Sequence, residues 1–422
     1  MTDALKMISL KEKGKPSGFL LAFFVLNILV MCIMLYATGG RFLADIVWAG
    51  KSPLDGDFLA SINRALTRHP YAVREISFEE AFAASYPPFA HFCYYIIGRM
   101  IPASIRDSAV TDWYRLASDI VLCLNLCLIV LAAGKYVREK SSVWHAVFIL
   151  CFVLSHPFAF AVVRAANSTL WVLTFVCLAL YLRNSPSPAC RELALLFIAF
   201  AAGLKISPAV FGLLYLKEGR FREAVRLTVY GIAFSVLPLF FFGGLSAAET
   251  YISILRMIGS LTQPRPETII GVCLEAADVL GLGSGFGLAA GKTVSILYFA
   301  AVVALVCFTR LDWKSYTLLS TLMIILMNHS YPYTLIYLLV PVLCFVKETD
   351  MHSSKIDYAY AALFVLVLAG YPFLKIDWPG ATFITNYFWL YILVFLLLGA
   401  KVREALKTLK TCCQGTVPAA DS

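Results

Sequence analysis

Charged residues are scarce in this chain. They make up 14% of its 422 residues, whereas a soluble globular domain carries roughly 25%. Hydrophobic residues account for 60% of the chain, and its mean hydropathy is +0.79. This composition excludes one large water-soluble core and indicates that lipid surrounds most of the protein.

Sequence signatures of nucleotide and metal chemistry are also lacking. The chain has no glycine-rich phosphate-binding loop and no P-loop lysine, so nothing supports chemistry driven by a cytoplasmic nucleotide. The twelve cysteines are scattered, many of them inside apolar runs, without metal-ligand spacing. We therefore expect no cofactor and no metal. No internal repeat is evident, which disfavours a transporter built from matching halves.

What the sequence does contain is a series of apolar runs separated by short basic clusters. The net charge of +9 is concentrated in these clusters, as in cytoplasmic loops, so a nucleic-acid partner is not expected. The first run follows Lys15 without a small-residue cleavage site, which predicts an uncleaved anchor. The clusters lie at 6–15, 135–140, 183–191, 217–226, 310–314, 347–355 and 401–410.

One threading places all seven clusters on the cytoplasmic side. It predicts an all-α polytopic membrane protein, one integral domain over 1–422, with cytoplasmic ends at 1–16 and 401–422 and large outer loops at 38–112 and 244–290. Its location would be the inner (plasma) membrane. The predicted spans lie near 17–37, 113–134, 143–163, 168–182, 192–204, 206–216, 224–243, 291–309, 315–328, 332–347, 356–373 and 383–400.

Three segments depart from simple spanning helices. The spans at 192–204 and 206–216 are too short to cross separately, and Pro208 separates them, which predicts irregular backbone lining a wet cavity. The segment 86–101 is predicted as a juxtamembrane or re-entrant helix begun by Pro87 and Pro88. If it spans instead, the cluster at 135–140 would be forced outside. A glycine-rich break is expected from Gly281 to Gly291.

With this threading, the polar residues that loop solvation does not explain fall on the outer side. Ionisable groups at helix ends beside a membrane cavity are costly, which makes them candidates for function. These residues are Asp55, Asp57, Arg164, Asn167, Lys205, Arg265 and His329.

Each candidate also has a structural interpretation. Asp57 could be the N-cap of a helix over 59–66, and Asn167 or Ser168 could cap the helix that follows them. Arg164 could extend to the lipid headgroups. His329 could be a satisfied residue at a helix end.

Two further candidates, like Arg164, carry a positive charge outside the cytoplasmic clusters. Lys205 lies between two apolar half-helices, where a fixed cation suits a phosphate ligand. Arg265 could be an exposed loop residue or a phosphate ligand. Tyr331 and Tyr333 are explained by an interfacial aromatic belt.

An ordered set of motifs resembles glycosyltransferase family 87, within the GT-C superfamily of integral-membrane glycosyltransferases. This family contains polyprenol-phosphate-mannose-dependent mannosyltransferases. The motifs are Asp57-Phe58, His69-Pro70-Tyr71, Ser85 to Ala90, Arg164 to Asn167, Ala202 to Pro208 continuing through the basic loop Lys217 to Ala224, and Ser330 to Tyr333 running to Pro341.

The resemblance implies a GT-C-like bundle of about twelve transmembrane helices, whose long first outer loop carries juxtamembrane helices. It implies Asp57 as the general base, with Asp55 as the alternative. The residues implied for the donor phosphate are Lys205, Arg164, Arg265 and His329, and those implied for substrate contact are Asn167, Tyr86 and Tyr333.

The implied activity is an inverting transfer of a hexose, with mannose as the candidate sugar, from a polyprenyl-phosphate donor to a lipid or glycan acceptor of the cell envelope. It would take place at the outer face of the membrane, without metal or nucleotide. The alternative is a transporter or lipid flippase that uses the break near Pro208 as a gate. A scaffold without chemistry is disfavoured by the ionisable residues gathered on one side.

Overall fold

The computed structural model describes residues 56–72, 83–101, 110–136, 168–261, 264–327, 331–349, 355–369 and 381–413, with isolated residues between 25 and 39 and between 155 and 161. Over these residues the chain forms helices joined by turns. The predicted all-α class is confirmed for this part of the protein.

Fourteen α-helices and two 3₁₀ helices make up the described chain. The α-helices, numbered in chain order, are α1 Gly56–Leu66, α2 Pro88–Met100, α3 Val110–Tyr136, α4 Ser168–Leu182, α5 Pro188–Leu204, α6 Leu213–Lys217, α7 Phe221–Phe241, α8 Leu245–Leu261, α9 Ile269–Val279, α10 Ser284–Phe308, α11 Trp313–Ile325, α12 Leu339–Thr349, α13 Lys355–Ala369 and α14 Ala381–Cys413. The 3₁₀ helices are Ser207–Gly212 and Pro332–Leu338.

Two of the described helices are long and apolar enough to cross a bilayer by themselves. They are α7, with a mean hydropathy of 1.7, and α10, with 2.0. Shorter apolar stretches occur at Asp119–Ala132 and Ser168–Leu182. Length and composition therefore support a membrane protein, but they do not confirm the predicted count of about twelve spans.

The core of the bundle is built around α11 and α4. Of the residues of α11, nearly all are buried, and most of α4 is buried as well. A helix that is buried on all sides lies at the centre of a bundle. Helix α4 packs against α3 and α5, and α11 packs against α12, so the elements that carry Lys205 and Tyr333 lie against these two central helices.

The predicted break after the fifth span is confirmed. Helix α5 ends at Leu204, and the backbone of Lys205 is extended. A 3₁₀ turn with Pro208 in its first turn and the short α6 then carry the chain onward. Proline has no N–H to donate and disfavours helical geometry in the preceding residue, so a helix cannot continue through this point.

The helix expected over 86–101 is also confirmed, and it begins at Pro88. It packs against α1, where a Cβ on Gly98 would come within 3.1 Å of Ile62 and Leu66. The ring of Phe58 in α1 lies 5.9 Å from that of Tyr94 in α2, edge to face. Whether α2 spans the membrane or lies in the interface stays a prediction.

The expected glycine-rich break from Gly281 to Gly291 is wrong in most of its length. The chain turns at Gly281 and Gly283, both with positive φ, and α10 then begins at Ser284. Gly287 and Gly291 lie inside α10, where a Cβ would come within 3.0 Å of the backbone of α9. Small residues four apart let two helices approach closely in a membrane, so these glycines serve packing.

Four of the seven basic clusters meet at one end of the molecule. Arg183 pairs with Glu218, which joins the clusters at 183–191 and 217–226. Lys217 donates to the carbonyl of Cys307 at 2.6 Å, next to the cluster at 310–314. The buried Lys401 lies 2.9 Å from Asp312, which adds the cluster at 401–410. This arrangement is the one that a common cytoplasmic side requires.

The threading predicts the result of reporter fusions. Fusions after Lys140, Arg222 and Lys410 are expected to report a cytoplasmic position, because the positive-inside rule holds basic loops on that side. Fusions after Asp57 and Gln263 are expected to report the outer side. A cytoplasmic report after Asp57 would contradict the proposed location of the site.

Candidate functional site

Lys205 is positioned by the end of α5. Its backbone N–H donates to the carbonyl of Ala201 at 3.0 Å, which closes the last turn of the helix. A cation at this position is favoured, because the carbonyl groups at a helix C-terminus carry partial negative charge. Lys205 is half-buried, so its ammonium group is partly withdrawn from solvent.

The ammonium group of Lys205 contacts both α4 and the second 3₁₀ helix. It donates a hydrogen bond to the Oγ1 of Thr169, a fully buried residue in the first turn of α4. It also lies 5.3 Å from the centre of the Tyr333 ring, within the range of a cation–π interaction. These contacts hold the charge between α4, α5 and the second 3₁₀ helix.

A stacked tyrosine pair continues from Lys205. The rings of Tyr333 and Tyr331 lie 5.6 Å apart and nearly parallel. Thr334 stabilises this turn, because its backbone N–H and its hydroxyl both donate to the carbonyl of Tyr331, at 2.8 and 2.7 Å. The guanidinium carbon of Arg265 then lies 4.8 Å from the Tyr331 ring.

Two positively charged side chains are thus connected through two aromatic rings. We call this arrangement the cation row, and it consists of Lys205, Tyr333, Tyr331 and Arg265. The structure thus brings together three residues that the sequence nominated separately. Sequence reasoning had assigned Tyr331 only to an interfacial belt. Its signal was the Tyr-Pro-Tyr spacing, which places Tyr331 at the N-cap and Tyr333 in the first turn of one 3₁₀ helix.

Arg265 has an acidic neighbour that the sequence analysis did not nominate. Its Nε lies 3.6 Å from Oε2 of Glu267, whose side chain is only 2% exposed. Within the described chain neither of these two atoms has a hydrogen-bond partner. Burial raises the pKa of the Glu267 carboxyl above its ordinary value, and the charge of Arg265 opposes that rise. Arg265 is therefore an ion-pair residue rather than a simple exposed loop residue.

The loop that carries Arg265 and Glu267 is tightly fixed. Thr268 is the N-cap of α9 and accepts from the N–H of Gly271 at 3.1 Å. Its hydroxyl donates to the carbonyl of Arg265 at 2.7 Å. A Cβ on Gly271 would lie 1.9 Å from that same carbonyl oxygen. Only glycine fits there, because the neighbouring atom is backbone and cannot swing aside.

Replacing Gly271 with alanine is expected to shift this loop and to cost about 1–3 kcal/mol of stability through overpacking. Because the loop carries Arg265 and Glu267, transfer activity should fall as well. Gly285→Ala is the matched control, since no atom lies within 4 Å of a Cβ at that helical glycine. Thermal unfolding in detergent would measure the difference, and equal unfolding temperatures for the two variants would contradict the close approach.

Asp57 lies in the first turn of α1, which begins one residue earlier at Gly56. The helix predicted over 59–66 thus begins three residues earlier, and the N-cap interpretation of Asp57 is wrong, because Asp57 lies inside the helix. The next residue, Phe58, contacts Tyr94, and Tyr94 lies 5.5 Å from Trp171 of α4. Trp171 follows Thr169 by two residues. Ring contacts thus connect the start of α1 to the helix that contacts Lys205.

Tyr86 belongs to the same aromatic chain. Its ring lies 6.2 Å from Tyr94 and 6.3 Å from His91. Its described ring contacts lie on the α2 side of the site. Ser168, the alternative cap for α4, is buried, and its hydroxyl has no hydrogen-bond partner in the part of the chain that the structure describes, so Ser168 does not cap this helix.

Four nominated residues lie outside the described residues, namely Asp55, Arg164, Asn167 and His329. The side chain of Asp57 is likewise not described. For these five side chains the roles implied by the sequence stay predictions.

Comparison with known proteins gives one match. Residues 84–329 match glycosyltransferase family 87, a range that includes Tyr86, Lys205 and Arg265. No curated protein and no solved structure matches the chain. The matched range covers more than half of the 422 residues, and the resemblance inferred from the sequence motifs is confirmed. The chain belongs to glycosyltransferase family 87.

Proposed function

We propose that this glycosyltransferase moves a hexose, with mannose as the candidate, from a polyprenyl-phosphate donor to a lipid or glycan acceptor at the outer face of the inner membrane. Family membership makes the protein a glycosyltransferase with a sugar donor and an acceptor. The observation that carries the finer proposal is the cation row, which ends in Lys205 at a break between membrane helices.

A lipid-linked donor fits this location. A phosphate carried by a polyprenyl chain diffuses within the bilayer and reaches a protein from the side, at the level of the headgroups. The proposed threading puts Lys205 at this level. Thr169 and Tyr333 hold its ammonium group, and Lys205 lies outside the four basic clusters that meet at one end of the bundle. A fixed ammonium group stabilises the charge that develops on a departing phosphate.

The chemical step that we propose is a single displacement. The acceptor oxygen attacks C1 of the sugar, a C1–O bond to the acceptor forms, and the C1–O bond to the phosphate breaks. The acceptor proton passes to the carboxylate of Asp57, or to that of Asp55, its alternative. Polyprenyl phosphate leaves with both electrons of the broken bond, and its negative charge is stabilised by Lys205. Attack opposite the leaving group inverts the configuration at C1, and the step needs no metal or nucleotide.

The family assignment favours transfer over the transporter alternative. The helix break near Pro208 suggested the gate of a transporter. In the proposed transferase the same break positions Lys205. Arg164, Arg265 and His329 remain proposed as further phosphate ligands, and Asn167, Tyr86 and Tyr333 as substrate contacts. Of these, Tyr333 has the best geometric support, because it lies against the Lys205 ammonium group.

Mass analysis of cell-envelope glycolipids and glycans tests the proposal in cells. Comparison of cells with and without the gene should reveal one class of molecule that is a hexose shorter when the gene is missing. The size of the truncated molecule would also identify the acceptor. An unchanged set of envelope glycans, with the protein shown to be expressed in the parent cells, would contradict the proposal.

A further inference from the structure

A cavity of about 660 Å³ lies beside Glu267, between α9, α10 and α14. Its walls are almost wholly apolar, with Val272, Leu297 and Phe395 among the lining residues. Pro266 and Glu267 are also lining residues, so the cavity reaches the loop that carries Arg265. An apolar space that borders a polar loop suits a molecule with a hydrocarbon chain and a polar head.

The polar end of the cavity contains an unsatisfied acceptor. The Oε2 of Glu267 is buried and has no hydrogen-bond partner in the described chain, although buried polar groups are normally paired. The backbone of the same residue is fixed, because the hydroxyl of Tyr391 donates to its carbonyl at 3.0 Å. A hydroxyl group from a bound molecule would give this carboxyl oxygen the donor that it lacks.

The charges that line the cavity select against a phosphate inside it. Glu267 is a lining residue, whereas its ion-pair partner Arg265, 3.6 Å away, is not, so a carboxylate faces the cavity and would repel a second anion. Glu275 also lines the cavity and adds to this repulsion. The cavity therefore suits an uncharged head group.

We propose that this cavity binds a lipid-anchored acceptor, with its hydrocarbon chain between α9, α10 and α14 and a head-group hydroxyl donating to Glu267. The identification of the ligand as an acceptor rests on the proposed function, in which Lys205 holds the donor phosphate. The presence of a hydroxyl-bearing lipid site rests only on the cavity and its carboxyl group. Glu267 thereby becomes a residue that selects the acceptor.

A photoreactive probe tests the site directly. Protein in lipid nanodiscs would be irradiated with a dodecyl mannoside that carries a diazirine in its alkyl chain, and the labelled peptides would be identified by mass spectrometry. We expect labelling of α10 and α14 that excess dodecyl mannoside removes and methyl mannoside does not. Glu267→Gln should lower this competable labelling by at least about fivefold, because the new side chain lacks the charged acceptor.

A matched pair on α10 tests the apolar part of the cavity. Ala301 lines the cavity, whereas its neighbour Ala300, which is also exposed, is not among the lining residues. Ala301→Phe should fill the space and abolish the competable labelling, while Ala300→Phe should leave it unchanged. This pair keeps the test decisive even if Glu267→Gln does not fold.

Two results would overturn the inference. One is equal competable labelling in wild-type protein, Glu267→Gln and Ala301→Phe. The other is displacement of the probe by polyprenyl phosphate at lower concentration than by dodecyl mannoside, because the cavity would then belong to the donor chain. If labelling follows the expected pattern but wild-type protein transfers no sugar, the lipid site is supported and the proposed function fails.

Discussion

Replacing Asp57 with asparagine should lower turnover by roughly 10²-fold or more, the lower end of what a general base contributes. Asparagine keeps the size of the side chain but cannot accept a proton near neutral pH. Asp57 lies in the first turn of α1, where a carboxylate favours the helix by only about 0.3–1 kcal/mol. The variant should therefore fold and bind donor normally while the chemical step slows. Single-turnover transfer by purified protein would measure the loss.

Asp55→Asn is the necessary control for this experiment. If Asp57 is the base, the Asp55 variant should retain near-normal transfer. Near-normal turnover of Asp57→Asn would indicate that Asp57 has a purely structural role. Loss of transfer in Asp55→Asn alone would identify Asp55 as the general base. The rest of the proposed mechanism would be unchanged.

Replacing Lys205 with alanine should reduce kcat/KM for the donor by about 10²-fold, comparable to the loss of one preorganised group that stabilises a developing negative charge. The change removes the ammonium group that Thr169 and Tyr333 hold in place. Lys205→Arg should recover part of the loss, because it keeps the charge but alters its geometry. Donor titration in a transfer assay would measure both variants.

Lys217 provides a matched control for Lys205. It is also a half-buried lysine at a helix end, but its ammonium group donates to the carbonyl of Cys307 at the end where the basic clusters meet. Lys217→Ala should leave donor affinity unchanged, whatever its effect on stability. Unchanged donor affinity in Lys205→Ala, or an equal loss in both variants, would remove Lys205 from the donor site.

The features that the sequence predicted well depend on local chemistry. The break after α5 and the start of α2 follow from the prolines at 208 and 88, which act through their own backbone geometry. Lys205 was identifiable because it is a basic residue between two apolar half-helices, which the positive-inside pattern does not explain. The basic clusters predicted a common cytoplasmic side, because Lys and Arg near the ends of membrane helices are enriched in cytoplasmic loops.

The features that the sequence did not predict depend on packing between distant segments. Gly287 and Gly291 were expected in a glycine-rich break. They lie instead inside α10, where the absence of a side chain lets α9 pack closely against the helix. Glu267 resembled any loop carboxylate in the sequence, but in the structure it is buried and its carbonyl accepts from Tyr391 of α14. Tyr331 connects Arg265 to Lys205 only once three distant segments of the chain pack together. Neither the hydrophobic period nor the motif spacing within one segment predicts contacts between segments that are distant in the sequence.

A transfer assay with two donors tests the central claim most directly. Purified protein in nanodiscs would receive membrane extract from cells that lack it, as the source of acceptor, together with a radiolabelled hexose linked either to polyprenyl phosphate or to a nucleotide. We predict that label passes to the extract from the polyprenyl-phosphate donor alone, with release of polyprenyl phosphate, and that Asp57→Asn slows this transfer. Transfer from the nucleotide sugar but not from the polyprenyl-phosphate sugar would contradict the account.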